Sequence, residues 1–452
     1  MEGFVASPDR LILGAIIGMA FLLFLIIKLK LQPVIAIVVS AITIGVIVGM
    51  PLTGIVSTIE KGVGSTLQGI ALLVGLGSMF GAVLECSGGA EQIAQTLVRK
   101  FGDRKAAWAL GITGLVIGMP VFFDAGLIIL IPLAFGLARK TNKSTLTYAI
   151  PLLAGLAVGH AFIPPTPGPV LVANMLNVEL GYVIGIGVVV GLVAMVLAGP
   201  VFGRYIGSKI YVPVPKNFTV QAEQAGENKK IPSFGTVVSI ILIPLVLILL
   251  NTASKVIPAL EPTQPVFAFL GTPFVALTIS TIVAMLLLGI KNGFTREELE
   301  KVMTKSLEPT GMVLLVTAGG GILRWMLQDS GLGDVIGNAV ASSSLPLVLV
   351  AFVIAGAVRI SIGSATVSMT MAAGIMAAMP EVAGLTQLHL AAIVMAIAGG
   401  ATIMSHVNDS GFWLVKSLFE IDEKTTLKTW TIMETIVGVV GLVGAVIVSI
   451  IA

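Results

Sequence analysis

Apolar segments long enough to cross a lipid bilayer recur along the whole of this 452-residue sequence. A transmembrane helix needs about 20 consecutive, mostly apolar residues. Runs close to that length or longer lie at residues 11–28, 33–50, 66–86, 145–203, 234–254, 266–290, 308–328, 387–405 and 431–451. The run at 145–203 is too long for one crossing and therefore contains at least two helices. The pattern predicts an all-α, multi-pass membrane protein.

The composition excludes a soluble protein. Charged residues make up 11% of the chain and hydrophobic residues 56%, whereas charged residues are about a quarter of an ordinary soluble domain. The one cysteine, Cys86, excludes an intramolecular disulfide and a cysteine-based metal site. No Walker motif or nucleotide-binding module accompanies the apolar runs. These features favour a secondary active transporter over an enzyme or an ATP-driven pump, with no cofactor, metal or nucleic-acid partner.

Two apolar stretches, at 106–138 and 345–379, are too short to cross the membrane twice, because two crossings need about 40 residues. Each stretch has helix breakers near its middle. Lys and Arg flank the first stretch on both sides, and such residues accumulate on the cytoplasmic side of a membrane. The second stretch is flanked at 329–344 and 380–387 by acidic residues and by no Lys or Arg. Both are predicted to be re-entrant helical hairpins, entering from opposite sides.

The two halves of the chain repeat these features in the same order. Each half contains a hairpin and then a helix broken beside a histidine, at His160 and at His406. Because the hairpins enter from opposite sides, the halves are predicted to be inverted repeats, which are common in secondary transporters. The predicted organisation is an N-terminal transmembrane helix at 1–30, a first repeat at 31–203 (hairpin 106–138, broken helix 145–178), a cytoplasmic linker at 204–233, and a second repeat at 234–452 (hairpin 345–379, broken helix 387–420).

Polar side chains at membrane depth concentrate in four patches, one at each hairpin tip and one at each helix break. Ionisable groups at this depth are costly, by about 2.5–3.5 kcal/mol each on insertion scales, and are therefore candidates for function. The candidate residues are Phe123 and Asp124 in the first patch, His160, Thr166 and Gly168 in the second, Arg359, Ser361, Gly363, Ser364 and Thr366 in the third, and His406, Asn408, Asp409 and Ser410 in the fourth.

Each patch also has a structural explanation. Asp124 is well placed to cap the helix that follows it, and the proline-rich break after His160 is compatible with an external loop. Arg359 has a potential structural partner in Asp409, which would leave the arginine without a role in binding. The fourth patch, at 405–413, is alternatively a solvated loop. The sequence leaves these alternatives open.

At these patches the sequence resembles the gluconate permease family of gluconate:proton symporters. The most specific elements are the segments 164–169, 359–366, 405–416 and 428–435, together with the glycine-rich run that ends at Asp329-Ser330-Gly331. The resemblance covers essentially the whole chain. It implies membership of a superfamily of ion transporters with inverted repeats and paired hairpins, in which a transport domain slides against a dimeric scaffold as an elevator. It also implies a bacterial inner or plasma membrane and a homodimer.

We therefore predict a secondary active transporter that imports gluconate, or a similar small hydroxy-monocarboxylate, by proton symport. Arg359 is expected to receive the carboxylate, because its planar guanidinium stays protonated and matches two carboxylate oxygens. The side chains expected to contact the substrate hydroxyls are Ser364, Thr366, Thr166, Asn408 and Ser410. The candidate proton carriers are Asp124, Asp409, His160 and His406.

The sequence is compatible with several alternatives. Alternative substrates within the same family are D-serine, glycerate and other sugar acids. Sodium is the alternative coupling ion. A channel-like exchanger and an intramembrane enzyme are further possibilities, although no nucleophile and base lie at a productive spacing.

Overall fold

The computed structural model describes residues 7–215, 230–331, 345–407 and 409–452, and within these ranges the chain folds into α-helices with short π and 3-10 turns and without strands. The helices of the first half are α1 (Pro8–Ile27), α2 (Pro33–Val48), α3 (Leu52–Cys86), α4 (Gly89–Gly118), α5 (Phe123–Thr141), α6 (Leu146–Phe162), α7 (Pro167–Met175), α8 (Leu180–Val196) and α9 (Phe202–Lys209). Those of the second half are α10 (Phe234–Val256), α11 (Gln264–Leu270), α12 (Pro273–Ala284), α13 (Arg296–Ser306), α14 (Glu308–Asp329), α15 (Leu347–Ile362), α16 (Ala365–Ala378), α17 (Pro380–Ala383), α18 (Gln387–Gly400), α19 (Ser410–Phe419), α20 (Glu423–Thr426) and α21 (Ile432–Ile451).

The predicted multi-pass, all-helical character is confirmed. Within the described residues, seven helical segments are long and apolar enough to cross a membrane, or eight if the bent pair Leu52–Gln68 and Ala71–Cys86 is one span. Of the predicted linker at 204–233, residues 204–209 continue helix α9, and 216–229 lie outside the described residues. Helix α1, which covers most of the predicted N-terminal span, begins at Pro8.

Four helix breaks organise the centre of the fold. Helices α4 and α5 are separated at 119–122, and α15 and α16 at 363–364, so each predicted hairpin consists of two helices around a short break. Helices α6 and α7 are separated at 163–166, and α18 and α19 at 401–409. Proline explains two of these breaks, at Pro120 and Pro164, because it lacks an amide hydrogen and clashes with the preceding turn.

Helices α6 and α18 form the core around these breaks. Both are apolar on all sides, and nearly every residue from Leu146 to Phe162 and from Leu390 to Gly400 is buried. A helix that is apolar all round is stable only when other helices surround it. The two broken helices therefore lie inside the protein, and their polar ends lie inside with them.

Glycines allow α4 and α6 to pack backbone against backbone. A Cβ atom added to Gly155 would lie 2.2 Å from the carbonyl oxygen of Gly111, and one added to Gly114 would lie 2.4 Å from that of Leu152. Gly118 and Gly159 face the opposite helix at similarly short distances. Small residues on facing helices are a common basis for helix packing in membranes. This crossing fixes the first hairpin against the first broken helix.

We expect Gly155→Ala to destabilise the protein by about 1–3 kcal/mol, because the methyl group must push backbone atoms of α4 away. Thermal unfolding of the purified protein in detergent measures the effect as a lowered midpoint. Gly136→Ala is the matched control, since nothing lies within 4 Å of a Cβ atom at that helical position. Equal midpoints for the two variants would contradict this role of the glycine crossing.

Candidate functional site

One cavity of about 410 Å³ lies where the hairpin tips and the helix breaks meet. Cavities of about 300–1,000 Å³ are the usual size for small-molecule sites. Nine of the residues singled out from the sequence line it, and they come from all four patches. They are Phe123, Asp124, His160, Arg359, Gly363, Ser364, Thr366, Asp409 and Ser410.

Arg359 and Asp409 form a buried ion pair at the wall of this cavity. Arg359 is 4% exposed, and its Nη2 donates to Asp409 Oδ2 at 2.5 Å. Its Nη1 donates to the carbonyl oxygen of Gly363. Within the described residues Nε has no hydrogen-bond partner. The pairing of Arg359 with Asp409, which was the structural explanation for this arginine, is therefore present. The guanidinium lines the cavity with two of its nitrogens already hydrogen-bonded to the protein.

Asp409 is held by donors on both carboxylate oxygens. Besides Arg359, the hydroxyl of Ser405 donates to Oδ2, and the amide of Gly411 donates to Oδ1 at 3.1 Å. Asp409 is also the N-cap residue of α19. The side chain of His406, the other predicted proton carrier of this patch, has no described hydrogen bond with the Asp409 carboxylate, and one of its ring nitrogens lies 3.1 Å from the carbonyl oxygen of Ile360.

Four further candidates do not line the cavity, and a fifth, Asn408, lies outside the described residues. Ser361 donates to the carbonyl oxygen of Ala357 at 2.8 Å, and Thr166 donates to that of Ile163 at 2.9 Å. Gly168 packs against another side chain, since an added Cβ would lie 2.6 Å from the sulfur of Met369. The fourth is His406. The hydroxyls of Ser361 and Thr166 thus donate to nearby backbone carbonyl oxygens in this structure.

Three helix N-termini converge on the cavity. Phe123 and Asp124 are the first residues of α5, Ala365 and Thr366 those of α16, and Ser410 begins α19. The first amides of a helix have no partner within that helix, and they carry the positive end of its dipole. An anion in the cavity would therefore meet several backbone donors in addition to Arg359.

Asp124 faces the cavity and does not cap its helix. The N-cap residue of α5 is Phe122, and no side chain caps this helix end. Asp124 is exposed, in contrast to Asp409. In the described structure, Asp124 therefore does not act as the N-cap of α5.

His160 lies at the end of α6, beside the break. Its ring is tilted against Phe122 with 5.9 Å between the ring centroids. Its Nδ1 is buried, and no described residue hydrogen-bonds to it. His160 therefore lines the cavity as a packed ring with one unsatisfied nitrogen.

The lining residues that are not among the sequence candidates include Trp430 and Glu434. Trp430 packs on Phe123 with 5.3 Å between the ring centroids, and its indole nitrogen donates to Ser405 at 2.6 Å. Glu434 is 4% exposed and lies in the first turn of α21. The signal that could have identified it was present, because a carboxylate inside an apolar spanning run is costly.

Comparisons with known proteins identify the family. The family model for GntP family permeases matches residues 10–451. The low-affinity gluconate transporter of Escherichia coli K12 is 38% identical over 434 residues, covering 96% of this chain and 97% of the relative. The gluconate permease of Pseudomonas aeruginosa is 36% identical, with 98% of each chain covered. The Gnt-II system L-idonate transporter of Escherichia coli K12 is 34% identical, with 94% of this chain and 96% of the relative covered.

A solved structure shares the fold. The Alcanivorax borkumensis YdaH transporter, whose crystal structure has an unusual topology, is similar with a TM-score of 0.62 over 98% of each chain, at 17% identity. At that identity the likeness concerns the fold alone. The relatives in the family are named transporters and permeases, not enzymes. With its apolar helices, this chain is a multi-pass membrane transporter, and it belongs to the GntP family of permeases.

Proposed function

We propose that this protein imports gluconate, or a similar small hydroxy-monocarboxylate, by proton symport. The observation that carries the proposal is the convergence of Arg359 and three helix N-termini on one cavity of about 410 Å³. Helix N-termini aimed at a midplane cavity are a recurrent way to hold the anionic group of a substrate in transporters. The names of the relatives agree with such a substrate, since several are gluconate transporters and one is an L-idonate transporter.

The substrate carboxylate is best placed beside Arg359 and the first amides of α16. Ser364 and Thr366 line the cavity there, and Ser410 lines it at the start of α19. Ser364 Oγ accepts from the amide of Val367 at 3.3 Å, which leaves its hydroxyl hydrogen available as a donor. These hydroxyls supply both donors and acceptors for the hydroxyl groups of a sugar acid.

Proton coupling is supported by the acids and the histidine that share the cavity. Asp124, His160 and Glu434 all line it, and so lie close to where the substrate anion binds. A group that gains a proton as an anion binds nearby links the two events thermodynamically. Coupling to sodium remains the alternative that an experiment must separate from coupling to protons.

We expect purified protein in proteoliposomes to accumulate labelled gluconate when an inward proton gradient is imposed, and not when an inward sodium gradient replaces it. Dissipating the proton gradient with an uncoupler should return the level to equilibrium. Competition by unlabelled D-serine, glycerate and L-idonate ranks the alternative substrates in the same assay. Accumulation driven by sodium alone would overturn proton symport, and absence of gluconate uptake or competition would overturn the substrate assignment.

We further propose that the two halves are inverted repeats and that the protein works as an elevator in a homodimer. The order of the four breaks supports the repeats, because a hairpin break precedes a broken helix in both halves, at 119–122 and 163–166 and again at 363–364 and 401–409. The predicted boundaries, 31–203 and 234–452, follow this order. In such an arrangement the hairpins and broken helices would carry the cavity across the membrane together.

A further inference from the structure

We propose that Glu434 is the group that takes up the coupled proton when the substrate binds. This inference rests on the proposed function and names the residue that would link its two fluxes. It follows from the position of Glu434 in the cavity and from a count of the charges there.

Glu434 occupies an unusual position for a carboxylate. Helix α21 has no other charged residue from Ile432 to Ile451. Glu434 is 4% exposed, yet it lines the cavity together with Arg359, Asp409 and Trp430. Three donors hold the Asp409 carboxylate, whereas within the described part of the chain no residue hydrogen-bonds to the side chain of Glu434. A buried carboxylate without fixed donors is a group whose charge responds to what binds beside it.

The charges around the cavity explain why a proton would be needed. Arg359 is the permanent cation among the described lining residues, and Asp409 already neutralises it at 2.5 Å. The remaining acids are Asp124 and Glu434. A substrate monoanion that enters while Glu434 is ionised adds a like charge to a confined cavity. If Glu434 takes up a proton as the substrate enters, the loaded site has the same net charge as the empty one.

The other titratable groups facing the same cavity fit this role less well. Asp409 is paired with Arg359 and also accepts from Ser405 and Gly411, so a proton on it would remove the negative charge that balances Arg359 and weaken these bonds. Asp124 is exposed, so its carboxylate is more open to water than that of Glu434, which is 4% exposed. A proton on each ring nitrogen of His160 would leave a buried N–H without a described acceptor.

Two further histidines lie away from the cavity. His406 is not among its lining residues. His389 contacts Ser449 at 2.8 Å, at the opposite end of α21 from Glu434. The arrangement therefore favours Glu434 among the groups that face the substrate.

The proposed step balances in protons and in charge. A proton from the side with the higher proton concentration adds to a carboxylate oxygen of Glu434, and no other bond forms or breaks. The substrate carboxylate then occupies the cavity beside the neutral acid. After reorientation the substrate leaves, Glu434 loses its proton to the other side, and one proton has crossed with one monoanion.

The test compares wild-type protein with Glu434→Gln, using labelled gluconate as the probe. In wild type, the dissociation constant should rise with pH by up to about tenfold per pH unit, the limit for one proton taken up on binding. In Glu434→Gln this dependence should flatten, because the amide mimics the protonated acid. Exchange of internal for external gluconate should persist in the variant, while accumulation driven by a proton gradient should be lost.

Two further variants keep the result interpretable. Glu434→Asp should retain the pH dependence and the accumulation in part, which distinguishes loss of the carboxyl group from damage to packing. Glu60→Gln removes an exposed carboxylate on α3 and should behave as wild type. Retention of the pH dependence and of accumulation in Glu434→Gln would overturn the role of Glu434 alone, whereas failure of wild type to bind gluconate would overturn the proposed function as well.

Discussion

Replacing Arg359 with alanine is expected to reduce gluconate uptake by at least about 100-fold. The substitution removes the permanent cation found among the described lining residues and leaves the Asp409 carboxylate buried without its partner. Breaking a buried ion pair from one side costs about 3–5 kcal/mol, and each 1.4 kcal/mol corresponds to about a factor of ten. Uptake into proteoliposomes and thermal unfolding of the same samples measure the two consequences separately.

Matched variants separate the loss of a binding group from the loss of a structural pair. Ser361→Ala is the control, because that hydroxyl lies on the same helix and contacts its own backbone outside the cavity. Arg359→Ala combined with Asp409→Ala removes both charges and should recover part of the stability without recovering uptake. Unimpaired uptake in Arg359→Ala would exclude a carboxylate-binding role for this residue.

The ion pair also shows what the sequence could not determine. Arg359 and Asp409 are 50 positions apart in the chain. The sequence was compatible with their pairing and also with substrate binding by Arg359. Deciding between pairing and binding required the distance between α15 and the start of α19, which local patterns do not contain. The helix breaks were easier to predict, because proline and glycine interrupt a helix wherever the rest of the chain lies.

Helix rotation decides which of the predicted site residues line the cavity, and the sequence does not contain it. Ser361 and Ser364 both lie at the second hairpin tip, yet only Ser364 lines the cavity. Ser361 lies in the last turn of α15, whereas Ser364 is the N-cap residue of α16, on the other side of the break. Glu434 was missed for a different reason. It lies in the segment 428–435 that carries the family resemblance, and it is a costly carboxylate inside the apolar run 431–451.

Gly363 is expected to be the most sensitive glycine of the site. It ends α15 with φ at 85°, a left-handed conformation in which a β-branched residue is a genuine outlier. Its amide donates to the carbonyl oxygen of Arg359 at 2.8 Å, and its own carbonyl accepts from the Arg359 guanidinium. A side chain here costs roughly 1–2 kcal/mol if the backbone stays in place, and otherwise the turn opens and displaces Arg359.

We therefore expect Gly363→Val to lower gluconate uptake by about tenfold or more, through weaker substrate binding as well as lower stability. Gly88→Val is the matched control, because Gly88 also has a positive φ, 71°, and nothing lies within 4 Å of an added Cβ atom. Gly88 is not among the residues that line the cavity, so its variant should lose stability while retaining wild-type affinity. Comparing dissociation constants and unfolding midpoints for the two variants separates backbone strain, which both share, from displacement of Arg359, which only Gly363→Val produces. Equal affinities in the two variants would show that the left-handed turn at Gly363 does not position the arginine for its substrate.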